Sequence, residues 1–260
     1  MHTSLKNRRV LVTGGSAGIG QAIARSAARA GADVAFNHLG DDAGAAETAD
    51  LIEGFGRRCW HESSDIAEEA QVIAMFRKLD EAWGGIDILV NNAGVDGHRG
   101  LLWEMDPAEI RRVLDINFHG VIHACRSAVP RMIGRGHGVI CNITSVHDKV
   151  PWSGYTPYCA AKAAVAAMTQ SMTLELADSG VRAFCIAPGA IKTNTKSHKH
   201  LDEAAHNDLL SKIPSGRVGN AEEVGDMVVA LCSPAGDYVA GTSVYVDGGM
   251  TCYPSFMTGG

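Results

Sequence analysis

The 260-residue sequence has no long hydrophobic segment and no excess of basic residues. No apolar run approaches the roughly 18 residues that a membrane-spanning helix needs. Lysine and arginine total 23 against 29 acidic residues, which gives a formal net charge of −6 and no basic face for nucleic acid. We therefore expect neither membrane nor nucleic acid as a partner.

The sequence also lacks the cysteine patterns of disulfide or zinc proteins. Its seven cysteines are odd in number and scattered, and no two form a Cys-x-x-Cys pair. This usage is typical of thiols packed as small apolar groups in a reduced compartment. The segment 1–9 is polar and has no apolar core of a secretory signal. We expect a cytoplasmic protein with no metal site.

Apolar residues make up 46% of the chain and glycine occurs 30 times, a composition suited to a large, closely packed core. Short apolar runs alternate with helical patterns from one end to the other. This alternation predicts an α/β fold, a single Rossmann-type domain over 1–260 with a doubly wound parallel seven-stranded sheet and helices on both faces. The predicted strands are 9–13, 33–37, 58–61, 86–90, 138–143, 181–186 and 242–246.

Helical patterns fill the intervals between these runs. They cover 21–30, 43–55, 68–83, 106–131 with a bend near Asn117, 156–178 and 221–231. The stretch 192–206 is polar and shows no such pattern, so we predict a mobile, lid-like segment at about 190–213. Trp83 and Trp103 are predicted to pack inside.

A glycine-rich loop joins the first strand to the first helix. Gly14, Gly18 and Gly20 follow the spacing G-x-x-x-G-x-G. Glycines here let the backbone approach a pyrophosphate, while the helix N-terminus supplies N–H donors and a positive dipole. The alternative is an ordinary tight turn, but the strand–loop–helix–strand context favours a dinucleotide site.

Tyr158 and Lys162 are spaced i,i+4, so they lie one turn apart on the same face of a helix. A fixed ammonium lowers the pKa of a neighbouring phenol from about 10 toward neutrality, where the phenol can act as acid or base. Ser145 follows the predicted strand 138–143, where its hydroxyl could hold a substrate oxygen. By itself the pair also fits an ordinary amphipathic helix.

Further motifs stand in order along the chain: Asp65, Asn91-Asn92-Ala93-Gly94, Asn117, Pro188-Gly189 and Thr193. With the glycine loop and the tyrosine–lysine pair, they resemble the short-chain dehydrogenase/reductase family over essentially the whole chain. The resemblance implies an NAD(P)-dependent oxidoreductase that transfers hydride between a secondary alcohol or hemiacetal carbon and nicotinamide. It also implies a homotetramer and four catalytic residues, Asn117, Ser145, Tyr158 and Lys162, with Asn117 holding a water through its backbone.

The same resemblance implies a cofactor site made of Gly14, Ser16, Gly18, Ile19, Gly20, Asn37, His38, Asp65, Ile66, Asn91, Ala93, Gly94, Tyr158, Lys162, Pro188, Gly189, Ile191 and Thr193. Asp65 fits the cap of the following helix equally well. The second strand ends with no acid at 37 and no arginine at 38 or 39, and the nearby Asp41 and Asp42 would repel a 2′-phosphate. The cofactor is NAD or NADP, with NAD slightly favoured.

Within the family, the stretches 144–152 and 247–256 are similar to those of the bacterial glucose 1-dehydrogenases. The substrate would then be an aldose such as glucose oxidised at C1, held by Asp96, Ser145, His147 and Tyr158. Departures at 95–99 and 153–157 keep other polyols, cyclic alcohols, hydroxysteroids and 3-oxoacyl compounds open. A non-catalytic dinucleotide sensor is the alternative from another class. His119 and His123, spaced i,i+4, are predicted to face a helix surface or a subunit contact.

Overall fold

The computed structural model describes residues 3–193 and 202–252. Numbered along the chain, its strands are β1 (Arg9–Val12), β2 (Asp33–His38), β3 (Cys59–Ser63), β4 (Ile88–Asn91), β5 (Gly138–Ile143), β6 (Val181–Pro188), β7 (Ile191–Lys192), β8 (Gly219–Asn220) and β9 (Ser243–Val246). Seven of them form one sheet in the order β3-β2-β1-β4-β5-β6-β9. Every neighbouring pair in this sheet is parallel, and β7 and β8 form a separate short pair. The predicted sheet is confirmed.

The helices of the described residues are α1 (Gly18–Arg29), α2 (Asp42–Glu53), α3 (Glu69–Trp83), α4 (Pro107–Leu114), α5 (Gly120–Arg135), α6 (Thr156–Glu175), α7 (Glu203–Ser211) and α8 (Ala221–Cys232). None of these helices combines the length and the apolar character needed to cross a membrane.

Two apolar cores lie on opposite faces of the sheet. Val10 and Val12 of β1 pack toward α1, α2 and α8, whereas Leu11 between them packs toward α3, α5 and α6. Because both faces are covered, each strand is apolar on both sides, as in parallel sheets generally. The fold is therefore the doubly wound α/β fold with helices on both faces.

The strand order reverses between β1 and β4, which lie next to each other in the middle of the sheet. The connections that leave these two strands run in opposite directions and open a crevice beyond their carboxyl ends, where ligands bind in folds of this type. The glycine loop follows β1 and the segment Asn91–Gly94 begins at the end of β4. The sheet topology thus brings the two motifs to one crevice.

The predicted helix 106–131 is divided by a π-helical turn. α4 runs into the turn Asp115–His119, and α5 then continues past Pro130 until Gly136, with a φ of 71°, ends it. The turn contains Asn117, where the sequence predicts a bend. Single π-helical turns widen a helix locally and are frequent at functional sites.

Two less regular regions contain features that the sequence patterns do not predict. α7 lies inside the segment predicted as a lid. Trp103 is 80% exposed, so its predicted packing in the interior is wrong. His198 and His200 of that lid-like segment, and Tyr253 of the tail, lie outside the described residues. A mobile lid stays a prediction.

Candidate active site

The glycine loop after β1 is packed so tightly that side chains cannot enter it. A Cβ on Gly20 would lie 2.0 Å from the Gly14 carbonyl oxygen, and Gly14 and Gly18 adopt φ angles of 65° and 57°. Ala17 at the start of α1 has no side chain that could accept a hydrogen bond from the first helical turn. A bare backbone cradle that opens onto an uncapped helix N-terminus suits a dinucleotide pyrophosphate.

Asn37 holds this loop from behind. Its Oδ1 accepts a hydrogen bond from Gly14 N at 3.0 Å, and its Nδ2 donates to the Ser64 carbonyl at 2.8 Å. Both ends of the amide are therefore used within the protein. The sequence predicts Asn37 as a cofactor contact. In the structure its side chain instead links the glycine loop to Ser64, which follows β3.

Thr13 and Asn92, which are not among the predicted site residues, join the segment after β4 to the glycine loop. Thr13 Oγ1 accepts the N–H groups of Asn92 and Ala93, while Asn92 Nδ2 donates to the carbonyls of Thr13 and Gly14. Thr13 directly precedes the glycine loop and Asn92 lies within Asn91-Asn92-Ala93-Gly94, and this position is the only signal in the sequence for their role. Asn91 points the other way, because its Nδ2 donates to Asn142 Oδ1 at 2.8 Å in the core.

Asp65 and Ile66, predicted to face the adenine, follow β3. Asp65 does not cap α3: its Oδ1 accepts from Ala67 N, and the helix begins only after Glu68. Ile66 is buried, and a Cβ on Gly120 would lie 3.0 Å from its side chain. Asp65 is thus left beside the crevice, while the Ile66 side chain packs against α5.

The predicted catalytic residues meet at the carboxyl end of β5. Lys162 on α6 is only 5% exposed, and its Nζ donates to the Ile143 carbonyl at 3.0 Å. The same Nζ lies 5.7 Å from the centre of the Tyr158 ring. Ser145 lies close enough to the Tyr158 hydroxyl to act on its pKa, so the two hydroxyl groups and the buried ammonium group lie in one site.

Asn117 completes this group from the π-helical turn. Its Nδ2 donates to the carbonyls of Val113 and Val95 at 2.9 and 2.8 Å. A Cβ on Gly94 would lie 2.6 Å from Asn117 Oδ1 and 3.4 Å from Lys162 Nζ, so this glycine separates the two side chains. The structure therefore gathers all four predicted catalytic residues, although nothing in it tests the predicted water path.

The pKa values of the pair differ from the expectation. Burial lowers the pKa of Lys162 to about 8, because an ammonium loses its hydration inside the protein. Burial also raises the pKa of the Tyr158 phenol above its usual value; the Ser145 hydrogen bond opposes this rise, whereas Asp96 and Asp148 add to it. In the protein alone, burial moves the pKa of Tyr158 away from neutrality, and a lowering of this pKa by Lys162 stays a prediction.

An aromatic wall borders Tyr158, formed by His147, Trp152 and Tyr155. The His147 ring stacks on Trp152 at 4.6 Å, and Trp152 stacks on Tyr155 at 3.8 Å. Trp152 remains 38% exposed, and its ring and that of His147 both meet Tyr158 edge-on at 6.4 Å. Asp96 is exposed and acts electrostatically on Tyr158. The two predicted substrate residues outside the tetrad, His147 and Asp96, thus both lie near the phenol.

The predicted nicotinamide side follows β6. Pro188 ends this strand, and a Cβ on Gly189 would lie 2.8 Å from Asp247 Cα, so only glycine allows this approach. Ile191 in β7 is buried, and Thr193 is the last residue before the gap in the described chain. These residues border the same crevice edge as Ile143 and Ser145, because β6 lies next to β5.

The remaining sequence-predicted pattern is the histidine pair. His119 Nδ1 lies 2.8 Å from Asp115 Oδ1, and His123 Nδ1 lies 3.2 Å from the Ile66 carbonyl. Across residues 3–193 and 202–252, no cluster of three histidine, cysteine or carboxylate side chains is suited to a metal ion. Each histidine has its own protein partner instead.

Comparison with known proteins places this site in a family. A family model described as enoyl-(acyl carrier protein) reductase matches residues 14–251. The chain is 39% identical over 263 residues to 3beta-hydroxysteroid dehydrogenase 1 of Eggerthella lenta, covering 100% of this chain and 99% of the relative. The chain belongs to the short-chain dehydrogenase/reductase family. It is an oxidoreductase that acts on CH–OH groups with a nicotinamide dinucleotide.

Other members of the family differ in their substrates. Glucose 1-dehydrogenase 2 of Bacillus subtilis is 34% identical over 256 residues, covering 98% of this chain and 99% of the relative. The crystal structure of a gluconate 5-dehydrogenase from Burkholderia cenocepacia, in complex with NADP and tartrate, superposes with a TM-score of 0.91 at 35% identity over 97% of this chain and 98% of that one. Because these relatives are dehydrogenases, the comparison gives no support to the alternative of a non-catalytic dinucleotide sensor.

Proposed function

We propose that this protein oxidises a ring-borne secondary alcohol, or reduces the matching ketone, by transferring the proton through Tyr158. The observation that carries this proposal is that Ser145, Tyr158 and the buried Lys162 lie together at the carboxyl end of β5. A bound nicotinamide dinucleotide supplies the hydride acceptor or donor. Ser145 holds the reacting oxygen, and Tyr158 removes or delivers its proton.

The other residues of the tetrad support the proton transfer. Because its phenol is neutral, Tyr158 is ready to protonate a developing alkoxide. In alcohol oxidation the phenol must first lose its own proton, so that the phenolate can accept the proton of the alcohol. The pKa of Lys162 is about 8, so its ammonium group can release or take up a proton close to neutral pH, where the proton of Tyr158 has to be exchanged. Asn117 holds the π-helical turn beside Lys162 through its hydrogen bonds to the carbonyls of Val113 and Val95.

NAD is the preferred dinucleotide in this proposal. Leu39, which is 64% exposed, stands where a base for a 2′-phosphate would be expected, and Asp41 accepts a hydrogen bond from Gly44 N at the start of α2. Asp42 follows with an exposed carboxylate 3.8 Å from His38 Nδ1. Two carboxylates and no arginine favour a free ribose hydroxyl over a phosphate at this edge.

Replacing Leu39 by arginine is expected to raise kcat/KM with NADP about tenfold, because a guanidinium can pair with the 2′-phosphate. Steady-state kinetics with both dinucleotides measure the change, and Leu39→Gln is the control of similar length without charge. A wild-type kcat/KM at least tenfold higher with NADP than with NAD would contradict the proposed preference.

The aromatic wall indicates the shape of the substrate. The stacked rings of His147, Trp152 and Tyr155 give the side of the site next to Tyr158 an aromatic, largely apolar face. Such a face packs against the broad side of an alicyclic ring. The nearby polar groups are few, since His147 Nδ1 is already engaged by the Val150 carbonyl. A hydroxysteroid-like cyclic alcohol therefore fits better than an aldose with several hydroxyl groups, which remains the second candidate.

Replacing Trp152 by alanine is expected to raise KM for the cyclic substrate about tenfold, while Trp152→Phe, which keeps a flat ring, stays close to the wild type. The assay is a panel of hydroxysteroids, other cyclic alcohols, aldoses, polyols and 3-oxoacyl thioesters, followed by nicotinamide absorbance. Turnover of aldoses without turnover of any hydroxysteroid or cyclic alcohol would refute the shape argument.

We also propose a homotetramer in the cytoplasm. Exposed apolar side chains on two long helices support an assembly, notably Leu174 on α6 and Ile133 on α5. A subunit contact would remove such side chains from water.

A further inference from the structure

Asp148 gathers three hydroxyl groups around its carboxylate. Thr144 Oγ1 donates to Asp148 Oδ2 at 2.9 Å, and Ser243 Oγ donates to the same oxygen at 3.2 Å. The Tyr245 hydroxyl donates to Asp148 Oδ1 at 2.9 Å. Thr144 follows β5, whereas Ser243 and Tyr245 belong to β9. Hydrogen bonds to a charged acceptor are stronger than neutral ones, so this carboxylate is a firm link between the two regions.

Asp148 lies three residues after the catalytic Ser145 and is connected to it by a short turn. Asp148 ends a single 3-10 turn whose first hydrogen bonds come back to Ser145. Asp148 N donates to the Ser145 carbonyl at 2.9 Å, and His147 N donates to Ser145 Oγ at 3.2 Å. β6 lies between β5 and β9, so the carboxylate ties the serine turn across a whole strand.

The charge of Asp148 also acts on the proton-transfer groups. It raises the pKa of both Tyr158 and Lys162, together with the charge of Asp96. The other titratable groups that face this pair are Cys159 beside Tyr158 and Cys185 on β6 beside Lys162. Of these groups, Asp148 is the one that belongs to the turn after Ser145.

We propose that Asp148 is a positioning residue of the reaction, whose carboxylate anchors the Ser145 turn to β9 and sets the field at Tyr158. It touches neither substrate nor dinucleotide in this proposal. The inference rests on the proposed function of the Ser145–Tyr158 pair. It adds Asp148 to the residues that the family resemblance assigns to the site.

The test separates the anchoring from the charge. Asp148→Asn is expected to lower kcat about 10- to 100-fold, because small displacements of a catalytic group are costly, with KM for the dinucleotide changed less than twofold. Removing the negative charge lowers the pKa of Tyr158, so the pH profile of kcat moves to lower pH. Tyr245→Phe removes one donor and keeps the charge. It is expected to lower kcat about threefold without moving the pH profile.

Asp148→Glu and Asp237→Asn serve as comparison variants. The glutamate keeps the charge, so the pH profile is expected to return toward that of the wild type even where kcat does not. Asp237 lies near Arg182 at the amino end of β6, away from the crevice, and its loss of charge is expected to leave kcat and the pH profile unchanged. Thermal unfolding of every variant reports whether the fold is intact.

Unchanged kcat and pH profile in Asp148→Asn would overturn the proposal. A fall in kcat with no movement of the pH profile, accompanied by lower stability, would show a merely structural role and would overturn it too. If Asp148→Asn does not fold, Tyr245→Phe and Ser243→Ala decide, and wild-type kcat in both refutes the anchoring. Failure of the proposed function itself looks different: the wild type then turns over no alcohol, or Tyr158→Phe remains active.

Discussion

Replacing Tyr158 by phenylalanine is expected to lower kcat/KM by about 10³-fold or more while dinucleotide binding is retained. The variant loses only the hydroxyl group, next to which Ser145 lies. The ring keeps its edge-on contacts with His147 and Trp152, so the wall and the helix that carry it should not move. Steady-state kinetics and fluorescence titration with NADH measure the two effects separately.

The matched control for this variant is Tyr238→Phe. Tyr238 is fully exposed and lies near the amino end of β6, so the loss of its hydroxyl group should leave both kcat and dinucleotide binding unchanged. If Tyr158→Phe turns over substrate within tenfold of the wild type, the proton-transfer role assigned to Tyr158 is refuted. Loss of dinucleotide binding in the same variant would point to a damaged site instead.

Replacing Lys162 by methionine is expected to lower kcat/KM about 10²- to 10³-fold and, in the same protein, to raise the free energy of unfolding by about 1–3 kcal/mol. Burial depresses the pKa of Lys162 from 10.5 to about 8, so the folded protein holds the ammonium group at a cost. Within residues 3–193 and 202–252, its Nζ donates one hydrogen bond, to the Ile143 carbonyl. Methionine fills a similar volume without the charge.

The pH dependence of this stabilisation has a definite sign. The unfolded chain binds the proton more tightly than the folded chain, so wild-type stability rises as the pH increases from about 8 toward 10.5. The advantage of Lys162→Met should therefore be largest below pH 8 and shrink above it. Urea unfolding at pH 7 and pH 10, at equal protein concentration, measures this change.

An exposed lysine provides the control for stability. Lys212 pairs with Asp208 at the surface of α7, and its replacement by methionine should change the free energy of unfolding by less than about 0.5 kcal/mol. A Lys162→Met variant that is less stable than the wild type at pH 7 would show that the buried ammonium group raises the free energy of unfolding, contrary to this expectation. Undiminished activity would contradict its place in the proton transfer.

The asparagine residues show how much of the site can be predicted from sequence motifs. The motif containing Asn91 is correctly placed at the crevice, yet Asn91 itself points into the core and Asn92 makes the contacts to the glycine loop. A strand reverses the direction of successive side chains, so a one-residue difference moves a group to the other face. Asn117 was assigned by resemblance alone, and a π-helical turn explains its position.

The sequence by itself determined the parallel sheet, the glycine loop and the pairing of Tyr158 with Lys162, because apolar periodicity, glycine spacing and an i,i+4 repeat are all short-range features. Only the tertiary structure decided how deeply that pair is buried, and therefore the direction of both pKa shifts. It alone brought Ser243 and Tyr245 to Asp148, over separations of 95 and 97 residues. Desolvation and long-range contacts depend on the packed fold, and no local spacing encodes them.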